Sequence, residues 1–327
     1  MTLQDAKRLL SQWTDRDHRW ITAPVTVAAL LVLLVLVKSC QGIAYYNSDE
    51  CRIHRLGYPI EQAQLLVNTL SDSQVDSLIA RQEHDTIAVT LIRARYFIAD
   101  NFDRYLAFHK RDTTSAPLSN IIALVNIGAD QDRATCSVPC DTSKGQLMLV
   151  NGRHYLDESY KPDSLATFSR SYCYEEQKAL PVVVDAFMAM QQACKDQTGA
   201  QLMVNSAHRS YQQQIAMHKR SARGYAAHAG YSEHQTGLAI DVTSLEHPMR
   251  WPFDKSEECA WMHEHCHEYG FILRYPKRQS LVFGFAYEPW HLRYVGREVA
   301  RRIHDADITF DEYYAYYVGR EEIKDKR

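Results

Sequence analysis

Residues 232–241 read Ser-Glu-His-Gln-Thr-Gly-Leu-Ala-Ile-Asp, a polar half and an alternating half hinged on Gly237. A turn at Thr236-Gly237 followed by a strand over Leu238 to Thr243 sends Leu238, Ile240 and Val242 to a core and Ala239, Asp241 and Thr243 to the opposite face. Asp241 then looks out of the sheet beside a small residue, with room for a ligand. Further along the chain stands Glu288-Pro-Trp-His291. His234, Asp241 and His291 together offer two imidazoles and one carboxylate, a set that suits Zn²⁺ with a fourth position open to water. Pro289 holds Glu288 extended, which frees it from the helical Glu-x-x-His arrangement in which both side chains share a face. A carboxylate within reach of a metal but not bound to it is the base that a metal-dependent hydrolase needs.

The chain around this nucleus has 327 residues, 46% hydrophobic and 24% charged, with 37 basic against 40 acidic side chains and a net charge of −3. That content buries a substantial core and excludes a disordered tail or a collagen-like fibre. The near balance of charge gives no electrostatic ground for a nucleic-acid partner. Apolar residues concentrate in Ile21 to Val37, a stretch without a charge that spans roughly 26 Å as a helix, against about 30 Å for a hydrocarbon core. A signal-peptide core or a buried helix would also be apolar, but the charged leader is long, no clean small-x-small site follows, and the run exceeds a usual signal core. We read it as an uncleaved anchor with Trp20 and Lys38 at the interfaces. Lys7, Arg8, Arg16 and Arg19 precede it, so the N-terminus is expected in the cytoplasm and the remainder outside the membrane. Cys40 raises a lipoprotein alternative, which Lys38 weakens by interrupting the apolar run.

All eight cysteines lie beyond the anchor, where an oxidising compartment permits disulfides. Their connectivity is open, except that Cys259 and Cys266 on one helix would be about 10 Å apart, too far to bridge. The expected organisation is a cytoplasmic tail at 1–20, the anchor at 21–37, a helical extracytoplasmic module at 38–130 and a larger domain at 131–327. Ile60 to Ile79 reads as two short helices, the second opened by the capping box Ser71-Asp-Ser-Gln74. Polar Asp112 to Ser119 and turn-rich Asp130 to Gly145 bracket the domain boundary. Beyond it, Pro181 to Lys195 reads as a core helix. Gln201 to Asn205, Gly237 to Val242, Phe271 to Arg274 and Ser280 to Phe285 read as strands, and Thr309-Phe-Asp-Glu312 caps a last helix. The fold class is α+β, a small antiparallel sheet bearing the zinc site and flanked by helices.

Three strings in this order, Ser206-Ala-His-Arg-Ser210, Ser232 to Asp241 and Glu288-Pro-Trp-His-Leu-Arg-Tyr294, resemble the VanY-type D-alanyl-D-alanine carboxypeptidases. These are zinc metallopeptidases of the hedgehog/DD-peptidase fold that trim peptidoglycan stem peptides. The likeness extends with less specificity through Tyr269 to Pro276 and, upstream, Asn101 to Leu106 and Leu124 to Gly128. It implies His234, Asp241 and His291 as ligands of one zinc per chain and Glu288 as base. It also implies Arg209 as partner of the substrate's terminal carboxylate, with Gln214 and Ser232 as further substrate contacts. Zinc would acidify a water, Glu288 would take its proton and pass it to the departing amine, and the grip of Arg209 would restrict cleavage to one C-terminal residue. The family usually has Ser-Gly-Tyr-Arg-Ser where this chain has Ala207 and His208. If that glycine served a positive φ, Ala207 would add strain of about 1 kcal/mol. His208 is expected to fill the tyrosine's volume.

Two other patterns invite a functional reading. Cys259, His263, Cys266 and His267 would line one helical face like a Cys₂His₂ metal site, against which stands a core-facing stripe with Trp261 and Met262. Tyr313-Tyr-Ala-Tyr-Tyr317 suggests a glycan platform, but Tyr313 and Tyr317 share a helical face and packing is the expected role. The N-terminal module either binds peptidoglycan or spaces the enzyme from the membrane. Three activities fit the motifs: removal of D-alanine from a pentapeptide ending D-Ala-D-Ala, an LD-carboxypeptidase reaction on tetrapeptides, or a non-catalytic wall-binding or signalling domain. Glu288 and Arg209 favour an enzyme, because a binding module needs neither.

Overall fold

The computed structural model describes residues 19–111, 118–131, 137–221, 226–248, 250–277 and 286–319. By contacts the chain divides into two compact units, Met1–Leu106 and Ala107–Arg327.

The first unit is helical. Helix α1 (Arg19–Tyr46) runs on past Lys38, and within it Val27–Tyr46 is long and apolar enough to cross a membrane, with none of it buried in the protein. Ser48 caps α2 (Asp49–Arg55) by accepting from the Cys51 amide at 3.2 Å. Helices α3 (Ile60–Thr69) and α4 (Asp72–Ala80) meet at the expected capping box, where the Ser71 amide donates to Gln74 Oε1 at 3.0 Å. With α5 (Ile87–Arg93) and α6 (Phe102–Arg111), these short amphipathic helices bury Ile53, Tyr58, Leu66, Leu78, Leu91 and Phe102 in a core of their own.

The second unit carries the sheet. It opens with α7 (Leu118–Asn126), followed by two ladders of two residues per strand. One pairs β1 (Val138–Pro139) with β2 (His154–Tyr155) in parallel, and the other pairs β3 (Ala166–Thr167) with β4 (Lys178–Ala179) antiparallel. Helix α8 (Pro181–Thr198) follows, opened by proline at its first turn and closed by Gly199 in the left-handed region at φ 76°. The main sheet has the order β5-β6-β8-β7 and is antiparallel throughout, from β5 (Leu202–Ser206), β6 (Ala239–Ser244), β7 (Phe271–Leu273) and β8 (His291–Tyr294). Three of the four expected strands appear in place, and Ser280 to Phe285 lies outside the described residues. The fourth observed strand begins at His291 itself.

The core explains this arrangement. Val183, Phe187, Met190 and Cys194 of α8 pack with Leu202, Val204, Leu238, Ile240, Val242 and Leu292 from the sheet. Phe187 meets Phe168 edge to face at 5.5 Å. Every residue of β6 is buried, so the face that carries Asp241 is roofed rather than open to solvent. Helix α9 (Tyr211–Arg220) and α10 (Arg250–Phe253) follow β5 and β6. Helix α11 (Glu257–His265) supplies Trp261 and Met262 to the same core, whereas α12 (Arg297–Ala306) and α13 (Phe310–Tyr313) build a second one around Ile303, Phe310 and Tyr313. Thr309 caps α13 as expected, accepting from the Glu312 amide at 3.1 Å. The rings of Tyr313 and Tyr317 lie 5.0 Å apart, Tyr313 buried and Tyr317 exposed, which fits packing rather than a glycan platform.

Seven cysteines fall among the described residues and all are free thiols, so no disulfide forms among them, and Cys136 lies outside. The helical cluster disperses in the same way. Burial pushes the thiols of Cys259 and Cys266 up to about 12, and among the described residues the four side chains do not gather into a group that could hold an ion. His263 Nε2 lies 2.8 Å from the Pro289 carbonyl and 3.5 Å from Cys259 Sγ, whereas His267 stacks on His304 at 3.8 Å.

The turn into β7 depends on one glycine. Gly270 sits at φ 90°, and a Cβ there would lie 2.7 Å from the Tyr294 ring and 3.1 Å from the Arg297 amide. We expect Gly270→Ala to lower stability by about 1–2 kcal/mol from the backbone alone, read as a shifted urea midpoint. An unchanged midpoint would contradict this account of the turn.

Candidate metal centre

Antiparallel pairing of β6 with β8 sets Asp241 opposite His291. The third member arrives from a tight turn, Glu233–Thr236, which Gly237 ends at φ 71° before β6 begins. His234, Asp241 and His291 are 2%, 3% and 4% exposed, and each offers one donor atom within 4.8 Å of the others. Asp241 Oδ1 lies 3.4 Å from His234 Nε2 and 3.0 Å from His291 Nδ1. The outward nitrogens face different groups. His234 Nδ1 is 2.6 Å from the Ala207 carbonyl, which can only accept, so this nitrogen carries the hydrogen and Nε2 is left as the donor atom. His291 Nε2 points the other way, 3.5 Å from Glu233 Oε2. Glu288 Oε2 stands 3.8 Å from His291 Nδ1, with its side chain 17% exposed and its amide donating to the Tyr275 carbonyl.

The electrostatics ask for a cation. Burial lowers His234 to about 4, reinforced by the charge of Arg209, so it is neutral at pH 7. Asp241 is held well below the carboxylate range, since His234 and His291 override its burial. Burial also opposes charge on His291, but hydrogen bonds with Asp241 and Glu233 and the charges of Asp241 and Glu288 lift it to about 9. A proton on His291 thus supplies the positive charge that the carboxylates attract. Two imidazoles and a carboxylate fit zinc, which would take over that charge from the proton.

One pocket joins the residues singled out in the sequence: Arg209, Gln214, Ser232, His234, Asp241, Glu288 and His291 all line it. Ser210 caps α9 through a capping box, its amide donating to Gln213 Oε1 at 2.8 Å. Arg209 therefore sits at the mouth of α9 and Gln214 one turn inside it. The Arg209 amide donates to the His234 carbonyl at 3.2 Å, tying this segment to the turn that carries His234. Gln214 is 1% exposed; its Nε2 donates to the Ala227 carbonyl at 2.8 Å, whereas the buried Oε1 accepts no hydrogen bond from the described residues. Ala207 is fully buried and absent from the residues with positive φ, so the expected strain does not arise. His208 does not line the pocket; its amide donates to the Lys178 carbonyl at 2.8 Å, and burial lowers its imidazole.

Sequence reasoning gave no role to the charged cluster behind the site. Glu233 Oε1 accepts from Arg274 Nε and Arg293 Nη1, each at 2.8 Å, and Arg274 Nη1 pairs with Asp311 Oδ2 at 2.6 Å. Arg293 Nη2 also donates to the Met148 and Gln146 carbonyls at 2.7 and 3.0 Å. The two arginines hold Glu233 below the carboxylate range although burial opposes this. The available signal was an arginine at a core position in each of two strings, Leu-Arg274-Tyr and Leu-Arg293-Tyr, which demands a buried partner.

The VanY family profile, described as D-alanyl-D-alanine carboxypeptidase, matches residues 176–297, which leaves the upstream strings at 101–106 and 124–128 outside it. The chain is 31% identical over 182 residues to VanXYC of Enterococcus gallinarum, a bifunctional D-Ala-D-Ala dipeptidase and D-Ala-D-Ala carboxypeptidase, covering 52% of this chain and 94% of that one. YodJ of Bacillus subtilis, provisionally designated a carboxypeptidase, is 35% identical over 182 residues, 51% of this chain. The chain spans just under two thirds of YodJ, 66% of its length. Among solved structures, the LdcB LD-carboxypeptidase aligns with a TM-score of 0.51 and 32% identity over 55% of this chain and 90% of that one.

Zinc uptake by the metal-free protein is expected to release about one proton at pH 6, where His291 with a value of about 9 is charged and His234 at about 4 is neutral. The release shrinks as pH rises through about 9, where His291 has already lost its proton. Calorimetry in buffers of different ionisation enthalpy reads it directly. A binding heat independent of buffer at pH 6 would contradict the assignment.

Proposed function

We propose that this chain, which belongs to the VanY-type D-alanyl-D-alanine carboxypeptidase family, is a zinc-dependent enzyme that removes the C-terminal D-alanine from peptidoglycan stem peptides. The observation that carries this reading is the convergence of Arg209 and Glu288 on the pocket that holds His234, Asp241 and His291. A cationic anchor, a carboxylate base and a metal-fitting triplet are the three parts that hydrolysis of a terminal peptide bond requires.

When held by His234, Asp241 and His291, zinc supplies Lewis acidity toward a carbonyl oxygen and lowers the pKa of water. Glu288 lies beside that triplet, partly exposed and free of the ligand role, so it can accept a proton from the attacking water and deliver it to the departing amine. Arg209 presents a planar fork that grips a terminal carboxylate through two parallel hydrogen bonds. That grip fixes the scissile bond one residue from the chain end and accounts for exopeptidase rather than internal cleavage. Gln214 Oε1, buried on the same wall, offers an acceptor to a substrate N–H, and Ser232 lines the wall beside it.

A second reading has its own support. The likeness to the LdcB LD-carboxypeptidase favours a tetrapeptide substrate, in which the residue before the terminal D-alanine has the L configuration at the scissile position. The apolar helix over Val27–Tyr46 supports a single-pass anchor, with the N-terminus in the cytoplasm by the Lys and Arg bias and the catalytic region outside, facing the cell wall. On this reading residues 1–20 form the tail, 21–37 the uncharged part of the anchor, 38–130 a helical spacer or wall-binding module, and 131–327 the catalytic domain.

The test is mass spectrometry of stem pentapeptide and tetrapeptide incubated with the full-length protein in detergent, with and without a chelator. Chelator-sensitive loss of one alanine is expected, and the peptide that shortens identifies DD or LD specificity. Glu288→Gln should lower turnover by about 10²–10⁴-fold with zinc retained. Loss of alanine from neither peptide by the zinc-loaded protein would exclude the carboxypeptidase and leave a wall-binding or signalling role.

A further inference from the structure

We propose that Glu233 is a positioning residue for the metal, its Oε2 accepting from His291 Nε2 and so committing Nδ1 of that imidazole to the ion. The proposal rests on the zinc reading of the site and adds a residue outside the ligand set. Four observations carry it. His291 Nε2 and Glu233 Oε2 face each other at 3.5 Å, both buried, and neither atom has a hydrogen-bond partner among the described residues. Glu233 cannot swing away, because Arg274 and Arg293 both hold its other oxygen at 2.8 Å and all three side chains are fully buried. His291 Nδ1 is already turned to the site, 3.0 Å from Asp241 and 3.8 Å from Glu288. The other histidine is fixed differently, by a neutral carbonyl at Ala207, so the two imidazoles present opposite nitrogens to the ion, Nε2 from His234 and Nδ1 from His291.

The physical consequence is specific to His291. A carboxylate behind a ligating imidazole fixes its tautomer and ring orientation and strengthens the donor atom, an arrangement whose loss costs about 10–100-fold in metal affinity. A purely structural Glu233, serving only to neutralise two buried arginines, would contribute to stability and leave metal affinity alone. Asp311 provides the contrast. It pairs with Arg274 in the same cluster and accepts from Asn151 Nδ2 at 2.6 Å, and among the described residues it makes no hydrogen bond or ion pair with the triplet.

Competitive chelator titration of zinc separates the two roles in the full-length protein, with Glu233→Gln compared against Asp311→Asn and wild type. We expect Glu233→Gln to weaken zinc by about 10–100-fold and Asp311→Asn to lower the melting temperature with zinc affinity within about twofold of wild type. Glu233→Gln within about twofold of wild type, or both variants weakened equally, would overturn the proposal while leaving the zinc site in place. Should Glu233→Gln not fold, cobalt-substituted wild type gives the same answer. Its proton spectrum should show two hyperfine-shifted imidazole N–H signals protected from solvent exchange, one for each buried outward nitrogen. Fewer than two protected signals would overturn the proposal, and wild type that takes up neither zinc nor cobalt would overturn the metal reading and the proposal together.

Discussion

The register of two short antiparallel strands is the constraint on which the site depends. Because side chains alternate along a strand, Asp241 and His291 meet on one face only if β6 and β8 pair as they do, and a slip of one residue would turn one of them into the core. The apolar set Leu238, Ile240, Val242 and Leu292 prevents the slip, since it would expose the residues that hold the sheet to α8. Packing energy thus fixes a geometry that the charged residues alone would resist. Three polar side chains brought together in a buried pocket lose their hydration, and that cost is offset only if hydrogen bonds, a proton or a cation compensates it.

The compensation is layered. In front, His291 Nδ1 lies 3.0 Å from Asp241 Oδ1, and the neighbouring carboxylates raise His291 toward its charged form where a metal would bring positive charge. Behind, Glu233, Arg274, Arg293 and Asp311 form a set of two cations and two anions, neutral overall and joined by short contacts. A buried charge set of this kind is a poor source of net stability, because desolvation consumes most of the attraction. Its value here is orientation. It links the ends of β7 and β8, the turn before β6 and α13 into one set, so the imidazole at the start of β8 is backed by a fixed carboxylate.

Much of this was legible in the sequence, and the legible parts share a physical reason. Turn glycines, capping boxes and alternation act locally, so Gly237, Ser71 with Gln74, Thr309 with Glu312 and the faces of Leu238 to Thr243 all read directly from spacing. The gathering of His234, Asp241 and His291 was legible because they fall within compact motifs whose chemistry is specific. Harder to read were features set by tertiary contact. Burial of the whole of β6 depends on what covers its polar face, and the partnership of Glu233 with arginines 41 and 60 residues away depends on strand order. The four-residue helical stripe at Cys259 to His267 misled in the opposite direction, since spacing aligns the residues but only Cys259 and His263 meet, at 3.5 Å, while His267 stacks on His304. Ala207 shows that an expected strain vanishes when the local backbone has no positive φ.

The central claim is that one zinc ion binds between His234, Asp241 and His291. The most direct measurement is diffraction from crystals of the zinc-loaded protein, collected on both sides of the zinc absorption edge. The account predicts a single anomalous peak within bonding distance of His234 Nε2, an Asp241 carboxylate oxygen and His291 Nδ1. An anomalous peak elsewhere, or none in crystals of protein that hydrolyses stem peptide, would contradict it.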